Sequence, residues 1–410
     1  MVVCYDCTVT VNSPPPPRRR AEPFEVTTDG RLLIATRGVR GFVDGAVAVT
    51  LSAFLTGIGY SGARIGVIVT GMLLGSASLT LAVGTAASAL RRRTVLLVGT
   101  SLMVATGATF ATTSAFWLLF AMGVIGTMNP SSGDVSVFQP VEQALLPLTV
   151  STAQRSRLFA RYTFTGSLCA AAGSLAAGLP DALHVSVRWV FAVYALGGFV
   201  AVLLYRRLSS EMEPTGAAAP APLGDSRAVV YRLAALFSLD AFGGGFVVQS
   251  LLALWLFRRF DFTLANAGAV LAAMGVLSAA SGFAAVRIER SIGPIRTMVF
   301  THMPAQLLLI AAALMPTPQL AVVCLLGRSL LSSMDVPVRN AYVMSVVSPA
   351  ERAAAASVTN VPRSLASALP PFAAGWMLDH STFGWPLIIA GGLKITYDIL
   401  LLLQFGREGR

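Results

Sequence analysis

The fold is decided by residues 207–230, RLSSEMEPTGAAAPAPLGDSRAVV, the only long polar break in an apolar chain. The chain has 410 residues, of which 55% are hydrophobic and 12% charged, whereas soluble globular proteins carry about 25% charged residues. This composition excludes a water-soluble fold. Because a membrane helix needs about 20 apolar residues, the chain has room for twelve such helices and for little else.

Six apolar windows precede this break and six follow it. They lie near 32–57, 65–89, 94–112, 115–138, 158–179 and 187–205, and then near 231–257, 265–287, 298–315, 320–346, 353–378 and 384–405. The pattern predicts an all-α membrane protein with twelve transmembrane helices. We expect one six-helix bundle at 32–206, a cytoplasmic linker at 207–230 and a second six-helix bundle at 231–405.

The two ends of the chain are predicted to be cytoplasmic tails, 1–31 and 406–410. The first contains four consecutive prolines and three arginines, a composition typical of disorder. The apolar window that follows is too long for a cleavable signal, so we expect it to be retained as the first helix. Cys4 and Cys7 in this tail lack a second pair of ligands, so we expect free thiols and predict no metal site.

Basic residues indicate the orientation. The net charge of +11 would suggest a nucleic-acid partner in a soluble protein, but here it follows topology. With the N-terminus inside, cytoplasmic segments hold 20 arginines and outer loops hold 4, as the positive-inside rule requires. We therefore predict a multi-pass protein of the cytoplasmic (inner) membrane, with the lipid bilayer and no nucleic acid as its partner.

The two halves repeat each other in sequence. SSGDV at 131–135 matches SSMDV at 332–336, and Asp44 and Asp240 lie 196 residues apart. A third set recurs at a constant spacing of 197 residues: Arg155, Ser167 and Ala177 match Arg352, Ser364 and Ala374. Several matches near one spacing predict a tandem duplication of a six-helix unit.

Twelve helices, a central loop, cytoplasmic termini and a tandem repeat resemble the major facilitator superfamily of secondary transporters. The stretch GTMNPSSGDVSVFQPVEQALLP at 126–147 resembles a bacterial subgroup described as permeases. The resemblance implies two pseudo-symmetric bundles around a central site, transport by alternating access, and a monomer.

The loop signature of this superfamily after helix two is present only in part. Gly84, Arg92 and Arg93 match it, while Ser88 replaces its acidic residue. The second copy keeps Gly282, Arg287 and Arg290. The resemblance implies a cytoplasmic gate, for which the candidates are Arg92, Arg93, Arg287, Arg290 and Arg339. Plain membrane anchors would look the same in sequence.

Eleven charged residues are predicted at membrane depth, where each costs about 2.5 to 3.5 kcal/mol on insertion scales. They must therefore pair with one another or face water. Four aspartates fall one each on helices one, four, seven and ten, which the resemblance implies line a cavity. A partly desolvated carboxylate can bind and release a proton there. The proton-coupling candidates are Asp44, Asp134, Asp240 and Asp335.

Structural pairing is the alternative for these aspartates. Asp44 could pair with Arg40, and Asp398 lies four residues after Lys394 on one helix. Asp335 could pair with either of two arginines on helix ten. Asp240 has no basic neighbour on its own helix, which favours the coupling role.

Helix ten carries a polar stripe, Arg328, Ser332, Asp335 and Arg339, at spacings of four and three residues. Lipid would not tolerate this stripe, so we expect it to face a cavity. An arginine in such a cavity could bind an anion or offset a buried aspartate. The substrate-cavity candidates are Arg40, Asn129, Gln249, Arg328, Ser332, Asn360 and Arg363.

These features predict a secondary active transporter for a small molecule, with proton-coupled efflux of an apolar or toxic compound as the favoured activity. Uptake or exchange of an organic or inorganic anion is the alternative within transport. A non-transporting membrane sensor is another. We predict no enzyme, since Asp-rich metal motifs and paired histidines are missing, and no cofactor. Lys394 follows Leu393 and not glycine, which excludes an ATP-binding phosphate loop.

Overall fold

A computed structural model describes residues 26–85, 90–131, 136–209, 212, 223–224, 226–348 and 351–406. Every regular element in these ranges is helical. Cys4, Cys7 and most of the predicted N-terminal tail lie outside the described residues, as do 407–410 and most of the linker.

Eight α-helices precede the linker. They are α1 (Thr28–Gly57), α2 (Gly62–Thr85), α3 (Arg92–Thr112), α4 (Phe116–Ile125), α5 (Phe138–Leu145), α6 (Arg155–Ala176), α7 (Leu179–Ala182) and α8 (Arg188–Tyr205). The hydroxyl of Thr27 accepts a hydrogen bond from the backbone N–H of Gly30 and so caps α1. The first helix therefore begins four residues before the predicted window.

Nine α-helices follow the linker. They are α9 (Arg227–Gly245), α10 (Gln249–Phe260), α11 (Leu264–Ile292), α12 (Pro294–Leu314), α13 (Pro318–Leu331), α14 (Asp335–Ser345), α15 (Arg352–Ala368), α16 (Pro370–His380) and α17 (Trp385–Phe405). Since α9 begins at Arg227, the last four residues of the predicted linker are helical.

Nine stretches of the described chain are helical, long and apolar enough to cross a membrane. Two of them combine a broken pair of helices, α9 with α10 and α13 with α14. The remaining three predicted crossings correspond to α4, to α6, and to α15 with α16, which are helical but do not meet the same criteria. The all-α membrane fold is confirmed, and the full count of twelve crossings stays a prediction.

The breaks within predicted helices lie at prolines and glycines. The break between α13 and α14 comes just before Pro337, whose missing N–H and ring disfavour a helical turn upstream. The glycine run 243–245 ends α9, and Pro130 lies between α4 and α5. By contrast, α15 continues through Pro362 and ends before Pro370. The polar stripe predicted on one continuous helix ten is therefore divided between two helices.

The tandem repeat is visible in how the helices pack. In the first half α1 packs on α6 and on α8, and α3 packs on α8. In the second half α9 packs on α15 and on α17, and α12 packs on α17, which repeats the same three pairings. The halves meet where α2 packs on α15 and α16, and where α6 packs on α11.

Two ends of the bundle can be distinguished. At the linker face, Asp29 accepts hydrogen bonds from the backbone N–H (3.0 Å) and hydroxyl (2.6 Å) of Ser209, and Glu351 accepts one from the hydroxyl of Ser226 (3.1 Å). The far face is the opposite end, where α1 ends and α2 begins.

The hydrophobic cores show where the halves separate. Near the linker face each half has its own core, one around Leu33 and Tyr205 and the other around Val230 and Phe405. Toward the far face a single core includes residues from both halves, such as Phe54 and Trp255. The halves are therefore joined at the far face and separated at the linker face.

Candidate functional site

A cavity of about 890 Å³ lies between the two halves. At one end it reaches Gln249 and Leu252, close to the core that the halves share. At the other end it reaches Gln143 on α5, Phe159 on α6 and Asn340 on α14, which lie near the linker face. The cavity therefore faces the linker side of the bundle.

The two walls of this cavity differ in charge. Among the described residues, the first half contributes only uncharged side chains, mainly from α5 and α6, including Gln139, Thr163 and Phe164. The second half contributes charged or titratable ones from six helices. These are Asp240, His302, Arg328, Asp335, Arg339, Arg363 and Lys394.

Asp240 on α9 is the most extensively paired group of the charged wall. Its carboxylate accepts a hydrogen bond from Nζ of Lys394 at 2.5 Å and one from Nη1 of Arg339 at 3.4 Å. Nε2 of His302 lies 3.7 Å from Oδ1. All these partners come from other helices. Asp240 is therefore paired although its own helix offers no basic neighbour.

The polar stripe predicted on helix ten does face the cavity. Nη1 of Arg339 donates to Asp335 at 3.1 Å, one turn earlier on α14. Arg328 and Ser332 line the cavity at the end of α13. Arg363, on the neighbouring α15, lines it as well. Of the two alternatives for Asp335, the structure shows the pairing with Arg339.

His302 and Asp398 form a second buried pair beside this wall. Nδ1 of His302 lies 3.0 Å from both carboxylate oxygens of Asp398. The alternative that Asp398 pairs with Lys394 along α17 is wrong in this structure, since Lys394 turns to Asp240. Sequence reasoning missed His302 because a single histidine in an apolar window carries no spacing signal.

A further buried carboxylate, Glu142 on α5, was also missed because it lies between two predicted windows. It is fully buried and accepts hydrogen bonds from four side chains, namely Thr36 (3.0 Å), Arg40, Tyr162 and Tyr205. It does not line the cavity. Arg40, predicted to bind substrate, is therefore the ion-pair partner of Glu142.

Four other candidates lie away from the cavity or outside the description. Asp44 and Asn129 are buried but do not line the cavity, and Asn360 is exposed on α15 outside its lining. Within the described residues Asp44 forms no ion pair within 4.0 Å, so the proposed pair with Arg40 is not formed. Asp134 lies outside the described residues.

The predicted gate arginines divide into three groups. Arg92 donates to the carbonyl of Ala144 at 3.3 Å, and Arg93 donates to the carbonyl of Arg206, so both bind backbone within the first half. Arg287 is exposed on α11, and the side chain of Arg290 lies outside the described part. Arg339 lines the cavity. Their gating role stays a prediction.

The far face is closed by contacts between the halves. The carboxylate of Asp379 on α16 accepts hydrogen bonds from the N–H groups of Gly62 (2.6 Å) and Ala63 (2.7 Å) at the start of α2, and from Arg258 (2.8 Å). Gly62 and Gly375 approach so closely that a Cβ on Gly375 would collide with the carbonyl of Gly62. Although burial acts to raise it, these hydrogen bonds hold the pKa of Asp379 below its usual range.

Metal binding finds no support in the described ranges. They contain no group of three His, Cys, Asp or Glu side chains placed to hold an ion. The chemistry that the cavity offers is therefore that of its cations, carboxylates, imidazole and hydroxyl groups.

Comparison with known proteins agrees with the all-helical membrane fold described above. The family model described as Major Facilitator Superfamily matches residues 33–332. The chain is 23% identical to YJR124C, an uncharacterized membrane protein of Saccharomyces cerevisiae, over 92% of this chain and 94% of that protein.

Two solved structures share the fold. One is a bacterial homolog of the human lysosomal transporter Spinster in an inward-facing and unoccupied conformation, with a TM-score of 0.70 and 14% identity over 93% of this chain and 98% of that one. The other is the nucleoside transporter NupG, with a TM-score of 0.71 and 14% identity over 92% and 99%.

Proposed function

Because the chain belongs to the major facilitator superfamily of small-molecule transporters, we propose that it carries a small organic anion across the membrane by alternating access, coupled to protons. The cavity between the two halves is the substrate site in this proposal. Closure at the far face and separation at the linker face correspond to one of the two access states.

The charge of the cavity wall carries the proposal. Four cationic side chains line it against two carboxylates, Asp240 and Asp335. Arg339 and Lys394 are ion-paired with these carboxylates. Arg328 and Arg363 line the same wall, and guanidinium groups bind carboxylate and phosphate with directed hydrogen bonds. An anion entering the cavity would therefore meet a net positive surface.

The opposite wall supports an apolar body for the same substrate. Phe159 and Phe164 on α6 line it together with small and uncharged residues, and no described residue of this wall carries a charge. An amphipathic anion could place its charged group on α13 and α15 and its apolar part against α6. The apolar substrate expected from the sequence would use the same surface.

The proton-coupling part of the proposal rests on carboxylates that border both the cavity and cations. Asp240 and Asp335 meet this description, whereas Asp44 is buried away from the cavity. When water reaches the wall from alternate sides, ion pairs at its edge can exchange a proton for a substrate charge. We retain Asp240 as the main coupling carboxylate.

Export of an uncharged apolar compound in exchange for protons is the second candidate, favoured by the uncharged wall of α6. The predicted cytoplasmic termini would place the cavity opening on the cytoplasmic side, from which such a compound would be loaded. We also expect a monomer, as the resemblance implies.

A ligand-stability screen separates the two candidates. Purified protein is heated with matched pairs of compounds, each an aromatic or aliphatic carboxylate and its uncharged amide. Binding to the folded state raises the midpoint of unfolding. We expect the carboxylates to stabilise the protein and their amides to have no effect; the reverse result would favour export of an apolar compound.

The stabilising carboxylate is then tested for flux in liposomes, with and without a pH difference. Arg328→Gln should lower flux at least about tenfold, since it removes a cation that faces the cavity. Arg296→Gln is the matched control, because Arg296 is exposed on α12 outside the cavity. Equal flux in both variants would contradict the proposed site.

A further inference from the structure

Four side chains from three helices form a connected row beside the cavity. Asp398 and Lys394 come from α17, His302 from α12 and Asp240 from α9. The row runs from the fully buried Asp398 to His302 (3.0 Å), then to Asp240 (3.7 Å) and Lys394 (2.5 Å). His302, Asp240 and Lys394 line the cavity, and Asp398 does not.

The hydrogen bond to Asp398 fixes the tautomer of His302. An ionised carboxylate can only accept hydrogen bonds, so Nδ1 must carry the hydrogen that faces it. The lone pair of the neutral ring is then on Nε2, the atom on the side of Asp240. The atom that can bind a further proton is therefore the one directed away from the buried end of the row.

The charges of the row favour such a proton. Arg339 binds Asp240 and Asp335, Lys394 binds Asp240, and Arg328 and Arg363 line the same wall. His302 itself lies between two carboxylates, with Nε2 3.7 Å from Asp240 and Nδ1 3.0 Å from Asp398, so an imidazolium would have an anionic partner on each side. Buried charges are tolerated only when they are compensated.

We infer that His302 carries the coupling proton and that its protonation releases Lys394 from Asp240 to bind the anionic substrate. A hydronium ion in the cavity gives its proton to Nε2, so that an N–H bond forms and an O–H bond of the hydronium breaks. The new N–H lies beside Oδ1 of Asp240, the oxygen that Lys394 contacts. Imidazolium then replaces ammonium as the partner of this oxygen.

This inference rests on the proposed function and specifies its coupling. A proton bound at His302 makes Lys394 available to the substrate, so protonation raises the affinity for an anion, and by linkage the anion raises the affinity for the proton. The proton and the anion would therefore move in the same direction. Asp398 acts as a positioning residue, since it orients the imidazole without reaching the cavity.

The surroundings of His302 are consistent with this role. Its helix packs on α11, α13, α14 and α17. The charged residues of α11 are confined to its last two turns, 287–290, and α13 contributes Arg328. Arg363 on α15 completes the charged groups of the wall. Tyr397 packs its ring edge-on against His302 with centroids 6.0 Å apart, and its buried hydroxyl has no hydrogen-bond partner in the described chain.

The test uses the fact that Lys394 is the only lysine in the chain. Full-length protein labelled with [13C,15N]lysine and [15N]histidine gives one lysine side-chain signal and signals from three histidines. The spectra are recorded without substrate between pH 5 and pH 8.5, the range in which histidine titrates. The signal lost in His302→Gln identifies His302.

We expect the Lys394 signal to shift over the same pH interval as the His302 ring and to lose this dependence in His302→Gln. His380→Gln is the matched control, since His380 is exposed on α16, and it should leave Lys394 unchanged. Asp398→Asn should reduce the imidazolium fraction of His302 at a given pH, and Asp398→Glu should restore it. A merely structural Asp398 would not move this pH profile.

A Lys394 signal that stays constant while His302 titrates would overturn the inference, as would a shift that persists in His302→Gln. If His302→Gln does not fold, the His302 signal is identified as the one that His184→Gln and His380→Gln both leave, and the coincidence of the two wild-type transitions decides. If the protein transports an anion in liposomes but the His302 and Lys394 signals do not change together, only the replacement of Lys394 by His302 at Asp240 is refuted. Coupled signals without any anion flux would refute the proposed function and leave the exchange standing.

Discussion

The two halves repeat one packing plan but treat their buried carboxylates in opposite ways. In the first half Glu142 is enclosed by α1, α5, α6 and α8, and neither it nor Arg40 reaches the cavity. In the second half Asp240 lines the cavity, where it binds Lys394 and shares Arg339 with Asp335. The first arrangement joins four helices away from the cavity, and the second is the one that we propose exchanges partners.

The difference follows from how completely each carboxylate is satisfied. Four donors converge on Glu142 in a site closed to water, so any rearrangement would leave a buried charge without a partner. Asp240 and its partners Lys394 and Arg339 border the cavity, and in our proposal these cations turn to a substrate anion. The two halves therefore share one packing plan but hold their buried carboxylates in different surroundings.

The largest effect is expected when the buried site around Glu142 is disrupted. Glu142→Ala should lower the free energy of unfolding by about 3–5 kcal/mol, since it leaves Arg40 buried without its partner. Asp240→Asn should cost less than half of this, because its cations border the cavity. Unfolding in detergent followed by circular dichroism measures both.

A double variant is the control for this prediction. Arg40→Met combined with Glu142→Leu removes both charges, so it should recover most of the stability lost in Glu142→Ala. Equal stability of Glu142→Ala and wild type would show that the enclosed site is not structural, and the contrast between the halves would lose its basis.

The second prediction concerns flux. Asp240→Asn should lower proton-driven uptake of the stabilising anion at least about tenfold, since it removes the acceptor shared by Lys394, Arg339 and His302. Asp44→Asn is the matched change in the first half and should lower uptake by less than about twofold. Uptake in liposomes with an imposed pH difference measures both. Loss of uptake in Asp44→Asn alone would place coupling in the first half.

The third prediction concerns the contact that joins the two halves at the far face. Asp379→Ala should increase hydrogen exchange at the amides of Gly62 and Ala63 by about threefold to tenfold, because it removes the acceptor of both N–H groups. Mass spectrometry of a peptide covering these residues measures the rate. Asp181→Ala, an exposed aspartate on α7, should leave it unchanged.

The smallest effect is expected at the linker face. The backbone N–H of Gly224 and the hydrogen bonds from Ser348 and Ser226 hold the pKa of Glu351 below its usual range. A lowered pKa stabilises the folded state above the unfolded value of about 4.3 and loses this effect as the pH falls through the folded value. Because the intrinsic rate of amide exchange itself changes with pH, the readout is the protection factor of Gly224, which should fall by less than about threefold on acidification below pH 4.

Glu351→Gln should remove this dependence on pH. Asp29, which binds Ser209 at the same face but belongs to the first half, provides the comparison. Asp29→Asn should leave exchange at Gly224 unaltered. An unchanged pH dependence in Glu351→Gln would assign it to another group.

The sequence identified many residues of the site, but it did not show which of them form pairs. The stripe containing Arg328, Ser332 and Asp335 was expected to face a cavity, and it does. Asp240 was selected because its own helix offers no partner, yet Lys394 reaches it from 154 residues away in sequence. Spacing along one helix favoured a pair of Lys394 with Asp398, whereas helix packing places Lys394 against Asp240.

Glu142 and His302 show what the sequence reading could not supply. Glu142 lies between two apolar windows, where a charge looks like part of a loop. His302 is a single polar residue in an apolar segment, where it could have been a core residue. Each acquires a role only because three or more helices converge on it.

The amino-acid sequence by itself determined that this chain is an all-helical membrane protein with a repeated half and with charges that must avoid lipid, because the solvation of apolar and charged side chains depends on composition and periodicity. The tertiary structure decided which charges meet, which wall of the cavity they form and which end of the bundle is closed. Those outcomes depend on contacts between helices distant in sequence, such as Lys394 with Asp240, which spacing along one helix does not encode.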